Sequence, residues 1–536
     1  MKNCCEVIAS TLKELGVKRM FGLIGGELLD LVEAWNNENL EYITARHESM
    51  AGIMAEVTGQ ITGVPGVCAA TLGPGATNLV NGVANAYLDR QPVLAFAGQL
   101  ATANKRYGNH QVVDLERLFE PITKKTITLT ADRIEEQIKE GYQLALSAPK
   151  GPVFFCLHRD IAISEAVANK EITIADSTGS PLVIEDDVIE DLSRAIHQAK
   201  KPLVLTGVGL DPAKDSEIVR EFIIKNKLPM MTTPKAKGVF PEDNALFLGT
   251  AAGMMADDLL VDQIMAADLV IGLGYDPVES DKIWHKDINL VSINPYSLKY
   301  NEFIPTKEII GDVSAILNRI INEDFSSHEW DESAFEILKE NIVKKLTPQA
   351  EPKPGTFSPY KVINTMRAIL PDDTILTTDT GAHKLLAGQA WKSYKPLTFF
   401  MSNGLSSMGY GLPSAIAAKL AVPDAPTVCI SGDGGMGMVI QEIETAVRLK
   451  LPVVFTVFVD QNFSLIDVVQ RLRGYSKCGV TLGPIDFPAA AKAFGARGVC
   501  LDSLDGMSEI FEQAFGADKP TVLAIPVDGT EYHKQL

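Results

Sequence analysis

The sequence TVCISGDGGMGMVIQEIETAVRLKLPVVFTVFVDQNFSLI occupies residues 427–466 of a chain of 536. Its two apolar runs, 427–431 and 453–459, have the length and composition of buried strands. Between them, residues 441–450 have the pattern of a helix. A strand, a helix and a second strand in this order are typical of α/β layers with a parallel sheet. This stretch therefore predicts an α/β fold.

Polar residues follow both apolar runs. Gly432-Asp433-Gly434-Gly435 ends the first and Asp460-Gln461-Asn462 ends the second, where parallel sheets usually bind ligands. Glycines let the backbone approach an anion, amides at a helix start can bond phosphate oxygens, and two aspartates offer the hard oxygen ligands that Mg²⁺ prefers. Taken alone, the glycines and Asp433 could equally form an ordinary turn. The two strand ends together favour a site for Mg²⁺ and a diphosphate.

Similar apolar runs recur along the chain. We predict further buried strands at 64–70, 93–97, 153–157, 203–206 and 269–274.

A polar, poorly patterned stretch at 165–181 and a charged segment with prolines at 322–359 interrupt this alternation, and both are expected to be surface linkers. They divide the chain into three blocks at 1–165, 182–320 and 355–536. The sequence thus predicts three domains.

The composition excludes several classes of protein. A net charge of -19 disfavours a nucleic-acid partner, and 18 consecutive apolar residues, as a membrane helix needs, do not occur. The N-terminus has helical spacing and no secretory pattern, which indicates a cytoplasmic protein. The seven cysteines are expected to be reduced thiols, and they form no CxxC pair that would suggest a zinc site.

One carboxylate stands out in the first block. In YITARHESMA, residues 42–51, Glu48 lies between a short strand and a helix rich in small residues. Taken alone, it could be a helix-start carboxylate that interacts with the helix dipole.

These motifs together resemble the thiamine-diphosphate-dependent enzymes, and the resemblance runs from Phe21 to Val527. It is closest to the FAD-independent, catabolic-type acetolactate synthases, in which an aspartate is usual at Asp460; many other relatives have Asn-Asn at this element. The resemblance implies three doubly wound parallel-sheet domains, namely a pyrimidine-binding, a central and a diphosphate-binding domain. These correspond to the three blocks.

The resemblance also implies roles for individual residues. Asp433 and Asp460 would bind Mg²⁺ through their side chains, and Asn462 through its backbone carbonyl. Glu48, in an Arg-His-Glu context, would bond N1′ of the cofactor's pyrimidine and hold the 4′-imino tautomer, which takes the C2 proton. Met408 would support the bent cofactor, although a methionine is also a common core residue. The other expected cofactor contacts are Gly73, Asn78, Gly381, Ala382, His383, Ser406, Gly432, Gly434, Gly435, Phe463 and Ser464.

The reaction implied is decarboxylation of a 2-oxo acid, pyruvate, followed by carboligation to a second one. The segment around His110 and Gln111 resembles the His-Gln element of acetolactate synthases; Gln111 would polarise the acceptor carbonyl and His110 would relay protons. Either could also be an ordinary polar residue. Segments 272–279, 482–487 and 524–528 are similar to the catabolic type as well.

Two departures keep other reactions open. Ile24 replaces the usual proline, and Glu27 falls near a lysine of the catabolic type, where a carboxylate would repel a substrate carboxylate. Glu27 could instead act as an acid or base, so a non-ligating decarboxylase or another thiamine-diphosphate lyase is an alternative. A flavin-containing, pyruvate oxidase-like enzyme is another, because a Gly-x-Gly turn follows the strand at 203–206. Retention of Glu48, Asp433 and Asp460 argues against an inactive partner subunit.

The resemblance implies an assembly too. Each cofactor of this family lies between the pyrimidine domain of one subunit and the diphosphate domain of another. We therefore expect a homodimer or homotetramer that binds a small 2-oxo acid and neither nucleic acid nor membrane.

Overall fold

The computed structural model describes residues 2–104, 106, 109–167, 184–251, 255–279, 288–298 and 305–536. It divides into two compact units. Unit 1 consists of Met1–Ser180, Gly404–Pro423 and Gln441–Leu449, and unit 2 of Pro181–Asn403, Asp424–Ile440 and Lys450–Leu536. Among the described residues, no helix is long and apolar enough to cross a bilayer.

The sheet of unit 1 has six parallel strands in the order β2-β1-β3-β4-β6-β5. Its strands are β1 (Arg19–Leu23), β2 (Glu41–Thr44), β3 (Gly66–Ala70), β4 (Val93–Gln99), β5 (Lys125–Thr128) and β6 (Val153–His158). Its helices are α1 (Cys4–Glu14), α2 (Leu29–Asn37), α3 (Glu48–Thr62), α4 (Pro74–Leu88), α5 (Leu115–Phe119), α6 (Ile134–Leu146) and α7 (Arg159–Ile163). The central strands are buried throughout, as expected for a parallel sheet that is covered on both faces.

Unit 2 contains two more six-stranded parallel sheets. The first has the order β12-β11-β10-β7-β8-β9. Its strands are β7 (Pro202–Thr206), β8 (Met230–Thr232), β9 (Phe247–Thr250), β10 (Leu269–Leu273), β11 (Leu290–Asn294) and β12 (Lys307–Ile310). The helices of this part are α8 (Asp186–Gln198), α9 (Pro212–Asn226), α10 (Asp257–Ala266), α11 (Val313–Ile320) and α12 (Glu332–Leu346).

The last sheet has the order β14-β13-β15-β16-β18-β17. Its strands are β13 (Ile375–Thr378), β14 (Phe399–Met401), β15 (Thr427–Gly432), β16 (Val453–Val459), β17 (Arg497–Cys500) and β18 (Thr521–Pro526). The helices of this part of the chain are α13 (Pro359–Ile369), α14 (Ala382–Ala390), α15 (Gly411–Ala421), α16 (Asp433–Val439), α17 (Ile443–Arg448), α18 (Ser464–Leu472), α19 (Phe487–Ala493), α20 (Met507–Phe515) and α21 (Tyr532–Gln535). Of these, α15 and α17 belong to unit 1. The predicted α/β fold with three doubly wound parallel sheets is confirmed.

The helix predicted over 441–450 is present as α17, Ile443–Arg448, and a separate helix, α16, precedes it from Asp433 and is linked to it by a 3₁₀ turn, Ile440–Glu442. One local prediction was wrong. The expected linker over 322–359 contains α12, which buries Phe335 and Leu338 in the core, since apolar residues recur along it at helical spacing. The other predicted linker, 165–181, lies mostly outside the described residues.

A buried ion pair joins the two sheet-bearing parts of unit 2. Nζ of Lys237 lies 2.7 Å from Oε2 of Glu242, and both side chains are almost fully buried. Lys237 also donates to the carbonyl of Gly388, while the N–H of Ser393 donates to Glu242. Because Lys237 donates to Gly388 and Glu242 accepts from Ser393, the pair ties the segment 237–242 to the end of α14 and the residues after it.

Candidate active site

Glu48 is the first residue of α3, and its side chain is buried. Nδ2 of Asn78, on α4, donates to Oε2 of Glu48 at 3.0 Å. Nδ1 of His47 accepts the N–H of Ser49 at 3.2 Å and caps the helix. The structure therefore brings together Glu48 and Asn78, which were both predicted to contact the cofactor.

Glycines allow α3 and α4 to approach closely behind this pair. A Cβ atom on Gly52 would lie 2.9 Å from the Cα of Gly82, so neither helix tolerates a side chain at the crossing. Gly52 follows Glu48 by one helical turn and Gly82 follows Asn78 by one turn. The hydroxyl of Ser49 also donates to the carbonyl of Asn78. The position of the carboxylate is thus set by the packing of two helices.

Glu442 is a buried residue that was not among the residues predicted from the sequence. Its Oε1 accepts the N–H groups of Arg46 at 2.7 Å and His47 at 3.0 Å, and the Thr445 hydroxyl donates to Oε2. Burial raises the pKa of Glu442 to about 7. This carboxylate fixes the backbone just before Glu48, and no local motif in the sequence distinguishes it from its neighbour Glu444.

The turn after β3 connects Glu48 with the predicted substrate residues. The Thr71 hydroxyl donates to Oε2 of Glu27 at 2.6 Å. A Cβ atom on Gly75 would lie 2.9 Å from Cγ2 of Thr71 and 3.2 Å from Oε1 of Glu48. On Gly73, it would lie 2.6 Å from the carbonyl oxygen of Gln111. Glu27, Glu48 and Gln111 therefore border one glycine-rich turn.

His110, also predicted on this side, is exposed, and the positive φ of 62° at neighbouring Gln111 marks a tight bend. The role of His110 stays a prediction. Ile24, the residue in place of the usual proline, is 44% exposed.

The segment with Ser406 and Met408 belongs to unit 1. The N–H of Gly404 donates to Oδ1 of Asp89, and Nδ2 of Asn81 donates to Oγ of Ser407. Ser406 has a positive φ of 55°, which is unusual for a residue with a side chain, and Met408 is half-buried. The backbone at Ser406 is therefore held in an uncommon conformation, of the kind that clusters at ligand-binding sites.

In unit 2, Asp433 connects two strand ends. Its Oδ2 accepts the N–H groups of Gln461 at 2.6 Å and Asp460 at 3.2 Å, and its Oδ1 accepts that of Gly434 at 2.8 Å. Asp460 in turn accepts the N–H of Asn462 at 3.1 Å. The two predicted motifs therefore form one cluster at the carboxyl edge of the sheet.

The electrostatics of this cluster suit a divalent cation. Burial raises the pKa of Asp433, and burial followed by repulsion from Asp433 raises the pKa of Asp460 to about 6. The hydroxyl of Ser464 donates to Oδ2 of Asp460. Oδ1 of Asn462 is buried and has no hydrogen-bond partner among the described residues. Paired carboxylates at a strand end fit Mg²⁺, which would relieve their repulsion.

The residues around His383 fit a diphosphate. The ring of His383 packs where Cβ atoms on Gly381 or Gly432 would lie, at 2.6 Å and 3.0 Å. Its Nε2 is buried and has no hydrogen-bond partner among the described residues. Burial lowers the pKa of His383 to about 4, so the ring is neutral. A nearby anion would supply the missing partner and favour a proton on Nε2.

Glycines and a small residue form the rest of the predicted diphosphate site in unit 2. A Cβ atom on Gly435 would lie 2.1 Å from Oδ2 of Asp379, and one on Gly434 would lie 2.4 Å from the ring of Phe463. Ala382 is buried at the start of α14. The structure therefore places the predicted residues 381–383, 432–435 and 460–464 together in unit 2.

Side chains of the protein itself, those of Glu279 and Asn294, contact the Gly-x-Gly turn at 207–209 in the central sheet. Oε2 of Glu279 accepts the N–H of Val208 at 2.8 Å and the hydroxyl of Thr233 at 2.7 Å. A Cβ atom on Gly209 would lie 2.7 Å from Oδ1 of Asn294. The amide that a nucleotide phosphate could use is thus bonded to a carboxylate, which disfavours the flavin alternative.

Comparison with known proteins agrees with this geometry. Three sequence models of the thiamine pyrophosphate enzymes match the chain: the N-terminal TPP binding domain over residues 2–118, the central domain over 189–320 and the C-terminal TPP binding domain over 379–525. The chain belongs to the thiamine pyrophosphate enzyme family, and its cofactor is thiamine diphosphate.

Within that family it is an enzyme of the acetolactate synthase type. It is 32% identical to an acetolactate synthase of Bacillus subtilis (strain 168), over 98% of this chain and 93% of that protein. It is 29% identical to a catabolic acetolactate synthase of Raoultella terrigena, over 98% and 94%. A probable acetolactate synthase large subunit of Methanocaldococcus jannaschii is 32% identical over 98% and 92%. The resemblance seen in the sequence is confirmed.

Proposed function

We propose that this enzyme uses thiamine diphosphate and Mg²⁺ to decarboxylate pyruvate and to join the two-carbon product to a second pyruvate, forming acetolactate. The observation that carries the proposal is the buried Glu48 carboxylate, held by Asn78 at the start of α3. Similarity to acetolactate synthases over nearly the whole chain supports the choice of reaction.

Glu48 would hold a proton at N1′ of the pyrimidine ring. Asn78 orients one of its oxygens, and Glu442 fixes the backbone that precedes it. When bound, thiamine diphosphate supplies the electron sink that decarboxylation of a 2-oxo acid needs. The residues of this chain bind and orient that group and control its protonation.

Mg²⁺ would bind the carboxylates of Asp433 and Asp460 and the backbone carbonyl of Asn462. His383 and the amides of 432–435 would hold the diphosphate oxygens. The neighbouring Phe463 and Ser464 would border this site, and Ser464 already orients Asp460. The repulsion between the two aspartates supports this assignment.

One observation favours an alternative reaction with the same cofactor, namely decarboxylation without carboligation. The Glu27 carboxylate is held by Thr71 on the turn that also borders Glu48. As a proton donor there, Glu27 would end the reaction as a plain decarboxylation. Gln111 and His110, acting on an acceptor carbonyl, would favour carboligation.

We further propose that the active assembly is a homodimer or homotetramer in the cytoplasm. The family resemblance supports this assembly, with each cofactor shared between two subunits. Light scattering of the purified protein would test it: an active, purely monomeric species would contradict it.

The deciding experiment is incubation of the purified protein with thiamine diphosphate, Mg²⁺ and pyruvate, with products followed by NMR. Acetolactate supports the carboligase proposal. Acetaldehyde as main product supports the alternative reaction, and Glu27→Gln should then slow its formation. If neither forms, pyruvate is not the substrate and the proposal fails.

A further inference from the structure

A mixed cluster of metal-binding side chains lies in unit 1, apart from the residues predicted to bind the cofactor. It consists of Glu116 on α5 and Cys156 and His158 on β6. One potential ligand atom from each lies within 4.8 Å of the others. Cys156 and His158 are two residues apart, so they project from the same face of β6. Both are buried, and Glu116 is half-buried.

Neighbouring groups orient two of these side chains. Nδ1 of His158 lies 2.6 Å from the carbonyl oxygen of Leu100, which places the ring proton on Nδ1 and leaves the lone pair on Nε2. The Thr128 hydroxyl donates to Oε1 of Glu116 at 2.9 Å. Histidine and carboxylate ligands of metal sites are commonly held by such partners, often a backbone carbonyl in the case of histidine.

We propose that Glu116, Cys156 and His158 form a binding site for a borderline-soft divalent transition metal, best represented by Zn²⁺. A thiolate, an imidazole and a carboxylate are the ligand types that Zn²⁺ takes, with water able to fill a fourth position. At zinc–ligand bond lengths, ligand atoms of a tetrahedral site are about 3.4 Å apart. The separations between the ligand atoms would therefore shorten by up to about 1.4 Å on binding.

The ligand types distinguish this site from the proposed Mg²⁺ site. Mg²⁺ prefers oxygen ligands such as Asp433 and Asp460, whereas thiolate and imidazole select softer ions. No sequence pattern indicated this site, because the cluster combines one position of a helix with two positions of a strand and contains no CxxC pair.

A metal ion at this site would stabilise the part of the chain next to His110 and Gln111, which were predicted to act on the substrate. His158 pairs with Gln99 in the sheet, and Nε2 of Gln99 donates to the carbonyl of Val113. A metal ion that joins β6 to α5 would therefore steady the end of β4 and the start of α5, which flank the segment with His110 and Gln111.

The test uses the full-length protein with its two exposed cysteines replaced, Cys478→Ser and Cys500→Ser, so that surface thiols do not bind metal. The metal-stripped protein is dialysed against Zn²⁺ or Co²⁺ without Mg²⁺ or thiamine diphosphate. We expect one tightly bound Zn²⁺ per chain and, with Co²⁺, a thiolate-to-cobalt charge-transfer band.

Two variants and two controls identify the ligands. Cys156→Ser should abolish the cobalt–thiolate band, and His158→Gln should weaken Zn²⁺ binding at least about 100-fold, since each removes a direct ligand. Cys68→Ser, which alters a buried cysteine of β3, should leave both signals unchanged. Asp433→Ala should also leave the band unchanged.

The outcomes are decisive in both directions. A parent protein that binds neither ion, or a Cys156→Ser variant that keeps the band, would overturn the site. Loss of the band on Asp433→Ala but not on Cys156→Ser would place the metal elsewhere and overturn it as well. Should Cys156→Ser fold poorly, the folded parent and His158→Gln give the answer.

Discussion

The Glu48 carboxylate accepts a hydrogen bond from Nδ2 of Asn78 at 3.0 Å. Each of these residues precedes, by one helical turn, a glycine at the contact between α3 and α4. The acid–base group and its orienting amide are therefore positioned by the same helix contact. A shift of either helix would change the direction in which the carboxylate points.

Glu48→Gln should slow exchange of the cofactor's C2 proton by about 100-fold or more, because an amide cannot take part in proton transfer at N1′. Proton exchange followed by NMR measures this directly. Glu56→Gln is the matched control, since Glu56 is also buried on α3 and bonded to an asparagine of α4. Equal exchange rates in Glu48→Gln and the parent would refute the assignment.

Asp433→Ala should weaken Mg²⁺-dependent retention of thiamine diphosphate by at least about 10-fold. The substitution removes one metal ligand and releases the N–H groups of Asp460 and Gln461. Calorimetric titration with the cofactor, at several Mg²⁺ concentrations, gives the affinity. Asp215→Asn, a buried aspartate of α9, serves as control. Unchanged Mg²⁺ dependence in Asp433→Ala would exclude the proposed ligand.

Glu442→Gln should alter how stability depends on pH. Burial raises the pKa of Glu442 from 4.5 to about 7, so the folded protein binds this proton more tightly than the unfolded chain. The stabilisation is complete below about pH 4.5 and is lost as pH rises through about 7. This stabilisation contributes about 3 kcal/mol to the free energy of unfolding at low pH.

The parent should therefore lose stability relative to Glu442→Gln between about pH 5 and pH 8. Urea unfolding midpoints of both proteins across this range measure the difference. Parallel pH profiles would show that Glu442 keeps an ordinary pKa in the folded protein.

Lys237→Met should destabilise the protein by about 3–5 kcal/mol, since it leaves the Glu242 carboxylate buried without its cation. Lys237→Met combined with Glu242→Leu should recover a large part of this loss, because no buried charge remains. Thermal unfolding midpoints compare the variants. A single variant as stable as the parent, or a double variant that recovers nothing, would contradict the account.

The fold was predictable from the sequence wherever apolar runs mark buried parallel strands. The strand at 453–459 has the predicted bounds. The start of α16 was not predictable, since four glycines between 432 and 437 disfavour a helix. Gly435 is required there because of its contact with Asp379, a residue distant in sequence.

The candidate site shows the same limit. Glu48, Asp433 and Asp460 were indicated by local motifs and the family resemblance, and their contacts with cofactor and metal stay predictions. Glu442 could not be found in this way, because its partner Arg46 lies 396 positions away. Local patterns reveal elements and motifs, but not the long-range contacts that orient them.

The Lys237–Glu242 pair also limits how this protein can be recombined with its relatives. Its ammonium and carboxylate come from the central part of the chain, whereas their other partners, Gly388 and Ser393, come from the C-terminal part. A chimera with a foreign central domain would need compatible groups on both sides of its junction. The two parts are therefore expected to be inherited, and best exchanged, as a single cassette.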